Sequence, residues 1–538
     1  MDVIIRNGTV VDGTGAPSFV ADVGIRGDRI SFIGDLSAER SATEIDASGK
    51  LVTPGFIDAH AHSDAYLLLE PDAPSKLSQG ITTEINGQCG GSAAPRLGSA
   101  RLSSDWASQV YPRLDDGARI VGNDLPGPTW DTFDSYRELF EAVAPAVNSI
   151  QFVGHNTLRA GVMGYEAREA SDDEIKEMER RLEEALECGA WGLTTGLLYQ
   201  PGKYSSNREV EALAACAARK GGVYATHMRS EGDRLLESVD EVLELARRTG
   251  IRVEISHLKT SGRANWPKID ALLEKIECAR AEGLAVHSDR YPFLAAGTDL
   301  DVVLPDWAGA GGRDAELSRI ADPATRQLIV EELNASPRDW GDCMIGGTWS
   351  ELTGRFRGKT VAAAAETLGL TPGETVCDFI EADQTRTGAF FFGMSPDNLH
   401  RIYEKSWVMP GSDASLRAPT GPLGFDYPHP RAYGTMPRFF RMLTGREEGF
   451  ARIATREEAV RRMCSLPADA FGISGRGRLR EGCFADVAVW DEERFENTAR
   501  YDAPHSFCTG VEAVFVNGVL SYRNGVFTGV RRGRLLAR

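Results

Sequence analysis

No two cysteines in this chain stand in a C-x-x-C spacing, and the nine cysteines are an odd number scattered along 538 residues. That excludes a disulfide framework and fits reduced thiols in a cytoplasm. No apolar run approaches the roughly 20 residues of a membrane-spanning helix. Met1-Asp-Val-Ile-Ile-Arg has no basic stretch leading into a long apolar one, so no signal peptide is expected. Positive charge is short: 60 Lys and Arg against 78 Asp and Glu leave a net charge of -18. Such a balance favours solubility and argues against nucleic acid or an anionic membrane as the main partner. No low-complexity segment is present. What remains is the composition of a folded globular protein, 42% apolar and 26% charged, and too long for one ordinary core.

The two ends read alike and the middle reads differently. Val3-Ile-Ile-Arg-Asn-Gly-Thr-Val-Val predicts a strand, an Asn-Gly turn and a second strand, and residues around Gly27-Asp28 predict another pair. Ala485-Asp-Val-Ala-Val-Trp and Val514-Phe-Val-Asn-Gly-Val-Leu repeat the pattern near the C-terminus. Both ends, 1–50 and 471–538, are expected to fold together into one small β domain, a sandwich. Between them, eight short apolar runs begin near residues 52, 81, 150, 191, 223, 253, 284 and 407, several separated by helical periodicity such as Ile175, Met178, Leu182 and Leu186. Repeated strand–helix alternation predicts an α/β fold, a (β/α)₈ TIM barrel over 51–470. Two spacings, about 89–149 and 292–405, are too long for a bare unit and read as insertions over the active-site face.

In such a barrel the chemistry sits at the C-terminal strand ends. The first strand leads into Asp58-Ala-His60-Ala-His62, two imidazoles that an extended chain points to one side. The second ends in Cys89 among glycines, the fifth in His227-Met-Arg229, the sixth in His257-Leu-Lys259 and the eighth in Gly411-Ser-Asp413. Four histidines, a thiol and a carboxylate meeting at one mouth are a metal-ligand set. Taken singly, Cys89 could be a small buried hydrophobe and Asp413 a helix N-cap. His155, after the third strand, either faces the pocket or hydrogen-bonds a neighbouring carbonyl. His287 reads as a hydrogen-bonded histidine inside the barrel. His400, His429 and His505 have no ligand-like spacing, and the first and last read as surface residues.

Phe56-Ile-Asp-Ala-His-Ala-His resembles the first-strand motif of the amidohydrolase superfamily. Gly80-Ile-Thr-Thr-Glu-Ile-Asn-Gly-Gln-Cys-Gly, Thr226-His-Met-Arg-Ser-Glu-Gly, Ile255-Ser-His-Leu-Lys, Arg290-Tyr-Pro-Phe and His429-Pro-Arg-Ala-Tyr-Gly-Thr are similar, more narrowly, to the D-aminoacylases, the N-acyl-D-amino-acid deacylases. The resemblance runs from near residue 1 to about 520. It implies a tight Zn²⁺ site of Cys89, His227 and His257, and a weaker second site of His60 and His62 that shares Cys89 and Asp413. It implies Asp413 as the catalytic acid/base, and Lys259 and Tyr291 as holders of a substrate carboxylate, with Arg229 a further anion-binding candidate. Where the family pattern places a serine six residues after the tyrosine, this chain has Gly297 followed by Thr298, so either Thr298 substitutes or that contact is missing.

The implied reaction is hydrolysis of an N-acyl-D-amino acid by a soluble cytoplasmic enzyme, as a monomer or small homo-oligomer. The rivals are a cyclic-amide hydrolase of hydantoinase or dihydroorotase type, an isoaspartyl-type dipeptidase, and a non-catalytic barrel scaffold. The fourth strand ends Thr194-Thr-Gly-Leu-Leu-Tyr199 with no lysine before Lys203, whereas hydantoinases typically carry a metal-bridging lysine there. That departure favours the deacylase branch.

Overall fold

A computed structural model describes residues 1–100 and 130–538. Eight short strands carry the middle of the chain: β1 Phe56–Asp58, β2 Ile81–Asn86, β3 Asn148–Gln151, β4 Gly192–Gly196, β5 Val223–His227, β6 Arg252–Ile255, β7 Val286–Arg290 and β8 Val408–Pro410. Val153–Gly154 prolongs β3 and pairs with β4. Every pairing in the series is parallel, β1 to β2 to β3 and then Val153–Gly154 through β4, β5, β6 and β7 to β8. Two links connect what remains. Phe152 N donates to Asn86 O at 3.0 Å, and Ala59 N donates to Pro410 O at 3.3 Å beside a parallel bridge between Ala61 and Ala414. The protein is thus α/β with parallel sheets, and its strands are short apolar runs because both faces are covered.

The intervening helices follow their sequence signals. Asp172–Glu187 starts at a Ser171–Glu174 capping box and buries Ile175, Met178 and Leu182. Leu235–Thr249 buries Leu235, Val239 and Val242 and ends at the left-handed Gly250.

Strands from both termini share one nine-stranded sheet. Val3–Val10 pairs with Phe19–Arg26, Thr43–Asp46 and Leu51–Pro54, and Leu51–Pro54 pairs in turn with Val487–Trp490 from the far end of the chain. Two expectations need correcting. Asn7-Gly8 is no turn: Val3–Val10 is one strand with a register shift between Ile5 and Gly8. Gly8 is needed for close approach, since a Cβ there would lie 2.3 Å from the Val52 side chain. The run 52–58 is also divided, with Leu51–Pro54 in the terminal sheet and β1 beginning after Gly55. The turns at Gly27-Asp28 and Asn517-Gly518 do join adjacent strands.

The long segment before β8 is a small α/β unit. Ala295–Asp299, Gly388–Phe392 and Cys343–Ile345 form an antiparallel sheet, and helices including Pro323–Ala335 and Pro372–Ala382 pack on it through Ile329, Val376 and Phe379. Part of the earlier expected insertion, 89–149, lies outside the described residues.

One cation ties the first two strands to the segment after the last. Lys76 is fully buried, and its Nζ lies 3.0 Å from Asp58 Oδ2 on β1 and 2.8 Å from Glu84 Oε1 on β2. It also donates to Ala414 O at 3.2 Å, while Asp58 accepts from Ser412 N at 2.8 Å. Removing one member of a buried ion cluster leaves uncompensated charge, which costs about 3–5 kcal/mol. Lys76→Met is therefore expected to lower the free energy of unfolding by about that amount in urea titrations. A loss within the scatter of surface substitutions would show that the cluster does not hold these strands together.

Candidate metal centre

The strand ends bring the donors to one place. His60, fully buried just beyond β1, has Nε2 3.3 Å from Cys89 Sγ and 3.4 Å from Asp413 Oδ1. His257, after β6, has Nε2 3.3 Å from the same sulfur. His62 Nε2 lies 3.1 Å from Asp413 Oδ1. One ligand atom each from His60, Cys89, His257 and Asp413 lies within 4.8 Å of all the others. His227, at the end of β5, packs its ring 4.5 Å from that of His257. It is 4% exposed, and neither of its ring nitrogens has a hydrogen-bond partner.

A buried imidazole with both nitrogens unpartnered is costly unless something binds it. Together with a thiol, two further imidazoles and a carboxylate at ligand spacing, it makes a donor set that fits a divalent cation. Burial opposes ionisation of Cys89, but His60 and His257 outweigh it and hold the thiol well below its ordinary value. Burial likewise opposes ionisation of Asp413; Arg431 and then His257 hold it well below the carboxylate range. Arg431 Nη1 donates to Asp413 Oδ2 at 2.7 Å.

Backbone strain concentrates here. Cys89, His257 and Asp413 all have positive φ, 52°, 40° and 49°, a region side chains other than glycine's rarely enter. The flanking glycines are forced by contact: a Cβ on Gly90 would lie 2.5 Å from Gly196 N, and one on Gly411 2.6 Å from the His60 side chain.

Three carboxylates that the motif reading passed over back the histidines. Asp289 on β7 accepts from His60 Nδ1 at 2.9 Å. Glu254 on β6 accepts from Asp289 N at 3.0 Å, and burial, then Asp289, push its carboxyl well above the usual range. Glu231 lies 2.8 Å from His257 Nδ1. Asp289 shares strand phase with Tyr291 and could have been singled out; Glu231 stands in a loop and carries no periodic signal.

The other expected site residues divide. Thr298 and Gly297 line a cavity of about 540 Å³ together with His62, Cys89, Asp413 and Arg431. Tyr291 is fully buried, and its hydroxyl has no partner. Three cations surround its ring: Arg290, Arg431 and Lys259 at 3.9, 4.6 and 5.9 Å from the centroid. Lys259, 4% exposed, pairs with Glu231. Two candidates are not brought to the site. Arg229 is held outward by Glu241 at 3.0 Å and by Lys203 O at 3.2 Å. His155 is buried on Glu209 at 2.7 Å. His287 is half-buried, its ring makes no hydrogen bond among the described residues, and burial lowers its pKa to about 4. His400 and His505 are half-buried, each with a carbonyl partner, rather than free on the surface.

The sequence profile of the amidohydrolase family matches residues 43–522. The chain belongs to the amidohydrolase family. An N-acyl-D-glutamate deacylase of Alcaligenes xylosoxydans xylosoxydans is 36% identical, covering 100% of this chain and 97% of the relative. A D-aminoacylase of the same organism is 34% identical over 100% of this chain and 98% of its own length. The crystal structure of an N-acyl-D-glutamate deacylase from Bordetella bronchiseptica, complexed with zinc and a phosphonate mimic of the tetrahedral intermediate, superposes with a TM-score of 0.83 at 32% identity, covering 100% of both chains.

The lowered Cys89 thiol gives a direct test of cation binding. In metal-free protein at neutral pH, iodoacetamide is expected to label Cys89 and the exposed Cys278; after zinc loading, peptide mapping should find Cys89 protected while Cys278 stays labelled. Equal labelling of Cys89 in both states would remove it from the ligand set.

Proposed function

We propose that this amidohydrolase is a zinc-dependent deacylase that hydrolyses the amide bond of N-acyl-D-amino acids to a carboxylate and a free D-amino acid. The observation that carries the reading is the convergence of Cys89, His60, His257 and Asp413 beside a cavity large enough for such a substrate. Membership in the amidohydrolase family, with full-length deacylase relatives 36% and 34% identical, supports it. The parallel strands and the β8-to-β1 hydrogen bond support a closed (β/α)₈ barrel, and the sheet built from both chain ends supports a separate small β domain.

Cys89, His227 and His257 would hold the tighter cation, and His60 and His62, with Cys89 and Asp413, a second. When bound, such a cation supplies Lewis acidity, acidifying water and polarising an amide carbonyl. The chain's own groups do the rest. Asp413, kept ionised by Arg431, accepts the proton from the attacking water and returns it to the departing amine. Tyr291 presents an unpartnered hydroxyl amid Lys259, Arg290 and Arg431, an environment suited to a substrate α-carboxylate. Thr298, on the cavity wall, is a candidate for the contact the expected serine makes. Fixing carboxylate and amide around one Cα selects an enantiomer. Against a cyclic-amide hydrolase stands Lys203, the first lysine after β4, which reaches Asp306 on the inserted unit at 2.6 Å. Among the described residues no helix is long and apolar enough to cross a membrane. All nine cysteines are free thiols, which favours a reducing compartment.

Asp413→Asn is expected to abolish turnover while zinc is retained at the tighter site, measured by metal analysis and hydrolysis of N-acetyl-D-amino acids. Near-normal turnover would remove Asp413 from proton transfer. Tyr291→Phe is expected to raise KM about tenfold or more, the effect of losing a hydrogen bond to a charged group. A panel pairing N-acetyl-D- and N-acetyl-L-amino acids with hydantoins tests the reading itself; hydantoin turnover without deacylation would overturn it.

A further inference from the structure

The outer sides of the two histidines assigned to the tighter site face one carboxylate. Glu231 Oε1 lies 2.8 Å from His257 Nδ1, and Oε2 lies 3.5 Å from His227 Nε2, an ion-pair distance longer than a hydrogen bond. Its carbonyl oxygen accepts from Ser261 N at 2.7 Å, which anchors the loop after β5 to the loop after β6. Lys259 Nζ competes for the same place: it pairs with Glu231 and lies 2.8 Å from His257 Nδ1.

The competition has a chemical consequence. His257 presents Nε2 to Cys89 at 3.3 Å, so Nε2 is the nitrogen on the cation's side. Nδ1 here hydrogen-bonds Lys259 Nζ, with Glu231 Oε1 at ion-pair distance; with its hydrogen on Nδ1 the ring would turn that hydrogen to Glu231 and keep a free lone pair at Nε2. Accepting from Lys259 instead requires a bare Nδ1 and puts the hydrogen on Nε2, where it blocks ligation. A carboxylate on the far nitrogen of a ligating histidine selects the tautomer, orients the ring and raises its basicity.

We propose that Glu231 is a positioning residue that sets the metal-ready tautomer of His257 and steadies His227. This rests on the zinc-dependent reading above.

The bland alternative is that Glu231 only neutralises a buried lysine. A double-mutant comparison separates the two. Lys259→Met removes the cation that needs neutralising and is expected to leave zinc affinity within about threefold, read by competition with a chromophoric chelator. Adding Glu231→Leu to that variant is expected to weaken zinc binding about tenfold to hundredfold and to alter the absorption of the cobalt(II) form. Glu231→Gln in the same background retains an acceptor and should fall between; it serves where the leucine variant does not fold. If the double variants bind zinc as tightly as Lys259→Met alone, Glu231 has no positioning role. If the unaltered protein itself binds no zinc, it is the functional reading that fails.

Discussion

The site depends on a cation it never exposes. Lys76 sits below the cavity and gathers Asp58, Glu84 and the Ala414 carbonyl, so that β1, β2 and the segment after β8 are drawn to one point. Strands 1 and 8 are separated by most of the chain, and the backbone pairing between their ends is short, three hydrogen bonds between 59–62 and 410–414. A multidentate ion cluster does there what a long ladder does elsewhere. Its consequence is positional: His60 and His62 follow Asp58 by two and four residues, and Asp413 follows Ser412, itself bonded to Asp58. The histidines and the carboxylate that share a hydrogen bond above are thus fixed by one carboxylate below.

Above that floor the site is a set of paired charges. His60 leans on Asp289, His257 on Glu231, and Asp413 on Arg431. Each pairing sets both geometry and proton occupancy, because a buried imidazole or carboxylate takes the state its partner favours. Three donors are also held at positive φ. Such backbone is unfavourable by about 1–3 kcal/mol per residue and persists only where the surroundings over-determine it. The close packing of Gly90 and Gly411 against neighbouring chain supplies that determination at Cys89 and near Asp413. Rigid donors lose little freedom when a cation arrives, which favours tight binding.

How much of this could be read from the sequence varied with the range of the interaction. The parallel strands were legible because apolar runs repeat at strand–helix intervals. The donors were legible because His60, Cys89, His257 and Asp413 each follow such a run. What failed was decided by contacts between remote elements. Asn7-Gly8 has the composition of a turn, yet the packing of Val52 on Gly8 makes it a bulge. Arg229 sits two residues after His227, but Glu241, on the following helix, pulls it outward. Glu231 follows by another two and turns inward, and nothing local distinguishes the two charges.

The inserted unit forms part of the cavity wall. Its first strand supplies Gly297 and Thr298 to one wall, and Arg431, from the helix after β8, bonds both Gly297 O at 3.1 Å and Asp413. One guanidinium therefore joins the inserted sheet to the proposed acid/base. A shift of that sheet would move Arg431, and a moved Arg431 would let the Asp413 carboxyl rise toward its ordinary range. The inserted sheet, which contributes none of the candidate metal ligands, thus reaches Asp413 through a single guanidinium.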